Sequence, residues 1–345
     1  MNKRKDSVLC AGGNAMNPAD IYQVLADLHA TSVGEVEALG AVLLALPPDQ
    51  HSRVACRSSL NNDGSPLQLC MTSSSRGCSG RLIGDPGAFV STINQRIERS
   101  RHAVRSLGAA SGCASFDSLT NRLLRMIVPE NCVQVAEPDA GIMWLATGMY
   151  EHSAAAYINA RWGSALEDWA RARFCLRSIL PNPSDAESLI NDLEPKARLA
   201  SIGIETTSSD DVRLKVYWRL TAPTLLSSLA IPLLHHPTMH RFLATVVSNG
   251  RMSLAGLVFS AGFLLSTGEL EDVKVDLCAH CLPMPLNHWL DRVDEVMEQN
   301  CLPAMPMRTC LRGTGLEPAF LGMGLNRNNQ VRINLYLKSA DAQPN

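Results

Sequence analysis

The feature that most constrains this chain is a repeating order of segments. Paired stretches with alternating apolar and polar residues recur, and each pair is followed by residues with helical spacing. The pairs are Pro66 to Ser73 with Ser79 to Gly84, Gly141 to Thr147 with Ala154 to Arg161, and Ser201 to Ser208 with Val212 to Leu220. Two more follow: Gly256 to Ser266 with Leu270 to His280, and Pro318 to Leu325 with Gln330 to Lys338. Ser209 and Asp210, Thr267 and Gly268, and Asn326 to Asn329 supply residues suited to hairpin turns. The spacing predicts helices over Pro18 to Leu46, Asp85 to Leu107, Phe116 to Ile127, Ser164 to Ile179, Ser184 to Ala200, Pro223 to Ser248 and Pro285 to Asn300. Ser164 and Ser184 stand at N-cap positions, with Glu167 and Glu187 at capping-box spacing.

A repeated unit of this size cannot bury its apolar face alone and must join its neighbours. Five αββα units therefore predict an α+β fold: a closed antiparallel barrel of about ten strands with the helices outside. At 345 residues such a barrel fits in one domain, 1–345, with loose polar ends at about 1–17 and 340–345. A formal charge of -2 gives no reason to expect nucleic acid or an anionic membrane as partner. The most apolar run, Leu254 to Leu265, is far shorter than the roughly 20 residues of a membrane span. Eleven scattered cysteines and no charged-then-apolar opening segment point to a reduced, cytoplasmic setting.

The strand faces carry the chemistry. In Val212 to Leu220, Leu214, Val216, Trp218 and Leu220 oppose Arg213, Lys215, Tyr217 and Arg219. Val273, Val275 and Leu277 likewise oppose Asp272, Lys274, Asp276 and Cys278, and Val331, Ile333, Leu335 and Leu337 oppose Arg332, Asn334, Tyr336 and Lys338. One such strand reads most simply as amphipathic with a solvated face. Three together, with helices on the apolar side, place cations and tyrosines in one lumen, where an unpaired charge is costly without an anion.

Arg213-Leu-Lys-Val-Tyr-Trp-Arg resembles the Arg-x-Lys-x-Tyr strand of the dimethylallyl tryptophan synthase branch of the ABBA, or PT-barrel, aromatic prenyltransferases. Asp63-Gly-Ser-Pro-Leu-Gln-Leu is similar to that family's Asp-Gly-x-Pro-x-Glu strand, and Arg81 to its first phosphate-binding arginine. Tyr157 resembles a shield tyrosine, and Lys274, Arg332 and Tyr336 fit later lumen positions. Three positions depart from the pattern: Gln68 replaces an acid, Ala155 a common lysine, and Asp276 an expected tyrosine.

The resemblance implies electrophilic prenyl transfer. Arg81, Arg213, Lys215, Lys274 and Arg332 would hold the diphosphate of a dimethylallyl or geranyl donor, and Tyr157, Tyr217 and Tyr336 would shield the allylic cation. The acceptor would be an aromatic small molecule, or a peptide as in the cyanobactin prenyltransferases. Gln68 would position it, and Glu205 and Asp276 are the candidate bases. A non-catalytic binder of a hydrophobic or diphosphate ligand is the competing reading, favoured by Gln68 and Ala155 and opposed by the five cations and three tyrosines. No cofactor is required by this chemistry. Mg2+ at Asp276 is the alternative to an ion pair of Asp276 with Lys274 or Arg213. Cys278 and Cys281 form one C-x-x-C beside His280, but neither a second pair nor a standard His pair completes a four-ligand zinc set with Cys301, Cys310, His235, His236 or His240. Gly12-Gly-Asn lacks the strand and spacing of a phosphate-binding fingerprint.

Overall fold

A computed structural model describes residues 18–52, 56–135, 141–149, 153–206, 212–247, 252–282, 284–311 and 313–339. The predicted loose ends and the Ser209–Asp210 turn lie outside the described residues. The five strand pairs are β1 (Leu67–Ser74) with β2 (Gly77–Gly84), β3 (Met143–Gly148) with β4 (Ala154–Asn159), β5 (Ala197–Thr206) with β6 (Val212–Leu220), β7 (Leu257–Leu264) with β8 (Leu270–Cys278), and β9 (Leu316–Asn326) with β10 (Val331–Ser339). All neighbours run antiparallel, and β1 pairs with β10, so the ten strands close into a barrel and leave no edge.

The helices are α1 (Ala19–His29), α2 (Val33–Leu44), α3 (Ile93–Ser111), α4 (Ala114–Ile127), α5 (Cys132–Val135), α6 (Ala165–Ile179), α7 (Ser184–Leu193), α8 (Pro237–Val246), α9 (Leu286–Gln299) and α10 (Met307–Cys310). Among the described residues none is long and apolar enough to cross a membrane. They cover the apolar faces of the strands: Leu214, Val216 and Trp218 of β6 join one large core with Trp169 of α6 and Phe242 of α8. Small residues let the layers meet. A Cβ at Gly80 or Gly84 on β2 would lie 2.6 Å from Leu25 of α1 or 2.8 Å from Leu43 of α2.

Several predicted helices are corrected. Pro18 to Leu46 breaks at Ala30, whose φ is 50°, and α2 restarts on a Ser32–Glu35 capping box that the sequence spells out. Asp85 to Leu107 becomes helical only at Ile93, because the side chain of Thr92 caps the amide of Gln95. Ser184 to Ala200 stops at Leu193, and Ala197 already belongs to β5, its strand pairing with β6 overriding local propensity. Ser184 is also not an N-cap: Pro183 holds that place without a side-chain bond. Ser164 does form its capping box with Glu167. Pro223 to Ser248 resolves into two 3-10 turns and α8, each interrupted where Pro232 or Pro237 cannot donate a helical hydrogen bond.

The inner face is a separate environment. Cys70, Ile83, Ala146, Ala155, Tyr157, Ala319 and Tyr336 form their own cluster, apart from the helix-covered core. Alternating strands are thinned to make room inside. A Cβ at Gly203 would lie 2.7 Å from the Tyr157 ring, one at Gly262 would lie 2.5 Å from Asp272, and one at Gly322 would collide with Asp276. Glycines on β5, β7 and β9 are therefore what lets side chains of β4 and β8 lie flat across the neighbouring strand.

Candidate active site

The registers bring Arg213, Lys215 and Tyr217 of β6 opposite Glu205, Gly203 and Ser201 of β5, and opposite Leu264, Gly262 and Ser260 of β7. Lys274 of β8 and Arg332 of β10 each stand across from Gly324 of β9. All five predicted phosphate-binding cations and all three shield tyrosines thus share the inner face. They divide by depth. Arg81 and Arg332 keep 27% and 31% side-chain exposure at a mouth that opens into a cavity of about 690 Å³, whereas Lys215 and Lys274 keep 1% and 5%.

The charge is not bare. Arg213 meets Asp272 at 2.8 Å and Glu205 at 3.6 Å, Lys215 meets Glu205 at 3.2 Å and Asp272 at 3.5 Å, and Arg81 reaches Glu205 at 3.7 Å. Arg332 lies 3.9 Å from Asp272, and Lys274 pairs with Asp276 at 2.7 Å. Five cations face three carboxylates, so this group of side chains carries a surplus of two positive charges. Asp272 was not among the predicted site residues, although it sits on the same β8 face as Lys274 and Asp276. Its contacts cross β7 and β9, and only the barrel register reveals them.

The electrostatics follow from crowding. Burial works to raise the pKa of Glu205, but Lys215, Arg213, Arg81 and Arg332 overcome it and hold the carboxyl well below the usual range. Asp272 is lowered for the same reason, against its own burial, by Lys215, Arg213 and Arg332. Burial pulls the Lys215 ammonium down to about 8, with Asp272 and Glu205 resisting. Burial also raises Tyr157, Tyr217 and Tyr336, so the three rings stay neutral phenols.

Below the charged tier lies an aromatic one. Tyr157 and Tyr217 meet edge to face at 5.5 Å, as do Tyr336 and Phe320 at 6.0 Å. Lys274 Nζ stands 5.0 Å from the Tyr336 centroid and 5.9 Å from that of Tyr217. The Tyr157 hydroxyl donates to Glu205 at 2.6 Å, and Lys274 donates to the Tyr336 hydroxyl at 2.7 Å. Towards the opposite end of the barrel, Gln68 Nε2 donates to Asn61 Oδ1 at 2.5 Å, and Asn61 in turn donates to Ser65 and to the Leu67 carbonyl. That fixes the amide of Gln68, with its oxygen as the end left to accept. Trp144 of β3 stands opposite Tyr157, and Asn334 of β10, opposite Gly322, lines the mouth cavity. Trp144 Nε1, Asn334 Nδ2, Ser260 Oγ and Asp276 Oδ1 are buried with no hydrogen-bond partner among the described residues.

No family model and no curated protein matches the sequence. The fold, in contrast, has clear relatives among solved structures. The 5-dimethylallyl tryptophan synthase from Streptomyces coelicolor, in complex with DMASPP and Trp, aligns over 96% of this chain and 98% of its own at TM-score 0.77 and 17% identity. The 6-dimethylallyltryptophan synthase from Micromonospora olivasterospora, in complex with the same two ligands, aligns over 95% and 98% at TM-score 0.73 and 15% identity. AnaPT from Neosartorya fischeri aligns over 94% and 92% at TM-score 0.63 and 12% identity. The architecture is therefore the PT barrel of the aromatic prenyltransferases, end to end.

Proposed function

We propose that this barrel transfers a prenyl group from an allylic prenyl diphosphate to an aromatic acceptor by electrophilic substitution, releasing diphosphate. The observation that carries the reading is the two-tier lumen, in which Arg81, Arg213 and Arg332 line the mouth with Lys215 buried just beneath them, and Tyr157, Tyr217 and Tyr336 line the next layer. The relatives with DMASPP and Trp supply the donor and acceptor classes.

In this reading the diphosphate takes the charged tier, displacing the Glu205 and Asp272 contacts and gaining charge-assisted bonds from the same cations. The allylic C–O bond breaks, its electron pair leaves with the diphosphate, and the cations stabilise the growing negative charge. The carbocation faces the tyrosine rings, each worth roughly 0.5 to 2 kcal/mol of cation–π attraction. The acceptor ring, held towards Gln68 and Trp144, attacks the cation and then loses a proton. Glu205 accepts the Tyr157 hydroxyl at 2.6 Å, so once the diphosphate has taken its cations it holds that ring in place rather than acting as base. Asp276 has one oxygen on Lys274 and the other without a partner, which leaves it as the proton acceptor. Its pairing with Lys274 at 2.7 Å supports the ion pair over Mg2+ at this carboxylate. The setting we assign is cytoplasmic.

The test is direct. The purified protein is incubated with dimethylallyl or geranyl diphosphate and a panel of indoles, phenols and aromatic peptides, with products read by mass spectrometry. A prenylated acceptor is expected from at least one pairing. Donor binding without product from any pairing would instead establish a non-catalytic binder.

A further inference from the structure

At the end of the barrel away from the charged mouth, β8 runs out at Cys278 into a 3-10 turn, Ala279–Cys281. Cys278 lies on the same β8 face as Asp276 and is buried, His280 is exposed, and Cys281 is half-buried. The His280 ring stands between the two thiols, with Nδ1 2.7 Å from Cys278 Sγ and Nε2 3.4 Å from Cys281 Sγ. One donor atom from each residue falls within a 4.8 Å group. A tetrahedral zinc ion with normal bond lengths needs sulfur and nitrogen donors roughly 3.5 to 3.8 Å apart, so the His280 ring must turn from its place between the sulfurs to present a single nitrogen beside them.

Two further features favour a metal. Cys281 packs on Gly256, where a Cβ would lie 2.7 Å from Cys281 Cβ and 2.5 Å from Met252 Cε, so the turn is anchored from the side and a thioether stands close by. A cavity of about 260 Å³ borders His280 and gives access. A direct disulfide would require the intervening ring to leave and the sulfurs to close to roughly 2 Å. Cys301 is not part of the group.

We propose that Cys278, His280 and Cys281 form a three-ligand site for a thiophilic divalent ion such as Zn2+, pinning the end of β8 to the barrel floor. The set offers three donors and leaves one coordination position open, the arrangement of an exchangeable ion rather than of a closed four-ligand knuckle. Binding converts both thiols to thiolates and releases their two protons to solvent, so affinity increases with pH. The site is independent of the transferase reading.

The test titrates the reduced full-length protein with Co2+, read by the thiolate-to-cobalt charge-transfer absorption, and with Zn2+ in competition with a chromogenic chelator. One high-affinity equivalent is expected, with Zn2+ raising the thermal midpoint. His280→Ala, at an exposed position, should weaken binding by about tenfold or more, and Cys281→Ser likewise, with circular dichroism spectra unchanged. Zn2+ should also protect Cys281 from thiol reagents. Equal affinity in the wild type and His280→Ala, absence of the charge-transfer band, or a Cys278–Cys281 disulfide forming equally fast with and without Zn2+ would each overturn the proposal.

Discussion

Replacing Asp272 with asparagine should separate the cost of an empty charged tier from its use. The carboxylate is 5% exposed and touches Arg213 at 2.8 Å, Lys215 at 3.5 Å and Arg332 at 3.9 Å. Asparagine keeps the shape and one acceptor oxygen but raises the local surplus from two positive charges to three. Breaking a buried pair costs roughly 3 to 5 kcal/mol. The retained oxygen and the partial exposure of Arg213 and Arg332 reduce this to about 2 to 3 kcal/mol. With an unfolding entropy of about 2.1 cal/mol/K per residue over 345 residues, that is a fall of roughly 3 to 4 °C in Tm for the unliganded protein. The sign with pH is fixed. Asp272 has a lowered folded pKa, so its contribution is present above the ordinary aspartate range and is lost as pH falls through the folded value. Wild type and variant should therefore converge in strong acid.

Diphosphate reverses the ranking. In the wild type the anion must displace Asp272 from three cations, whereas in the variant those cations wait uncompensated. If about half of the lost stability is recovered on binding, inorganic pyrophosphate should bind the variant about tenfold more tightly. The assay is thermal unfolding with and without pyrophosphate at pH 7.5, with calorimetric titration for the affinity. An unchanged unliganded Tm together with equal pyrophosphate shifts in both proteins would refute the proposed exchange of carboxylate for diphosphate.

Lys215→Met should reduce donor affinity by about tenfold or more, and because Lys215 offsets two buried carboxylates it should also lower Tm, both read on the same samples. In the wild type, burial pulls Lys215 down to about 8, so the donor KM should climb with a slope of up to one log unit per pH unit above that value, as measured by a pH–rate series. Tyr217→Phe should retain most turnover while Tyr217→Ala releases water-quenched prenol. Tyr336→Phe should lose more than Tyr217→Phe, because its hydroxyl anchors Lys274. Equal collapse in both phenylalanine variants would assign the hydroxyls to proton transfer. Asp85 accepts from Ser58 and from the Gly87 amide, and burial raises it to about 6. A carboxyl raised on folding costs stability as pH rises from the unfolded value through the folded one. Asp85→Asn should then gain on the order of 1 to 3 kcal/mol at pH 7.5 and nothing at pH 3, by denaturant titration.

What the sequence carried and what it did not follow one physical division. Strand faces are written locally, because residues two apart share a face whatever the partner strand is. Arg213, Lys215 and Tyr217 could therefore be placed together, and with them Lys274, Arg332 and Tyr336. Helix ends are less local: the Ser32–Glu35 box was present to be read, whereas Ala197 left the helical pattern only because β6 was there to pair with it. Counter-charges are the least local of all. Asp272 touches Arg213 across β7 through the gap at Gly262, and touches Arg332 across β9. Neither contact exists until β6 through β10 are paired with their registers set. Gln68 likewise takes its orientation from Asn61, a loop residue with no periodic signature. The cations alone imply a strongly positive lumen that binds diphosphate by attraction. Once Glu205, Asp272 and Asp276 are placed among them, binding becomes an exchange of one set of anions for another. Donor affinity in this chain is then governed as much by those three carboxylates as by the five cations that announced the site.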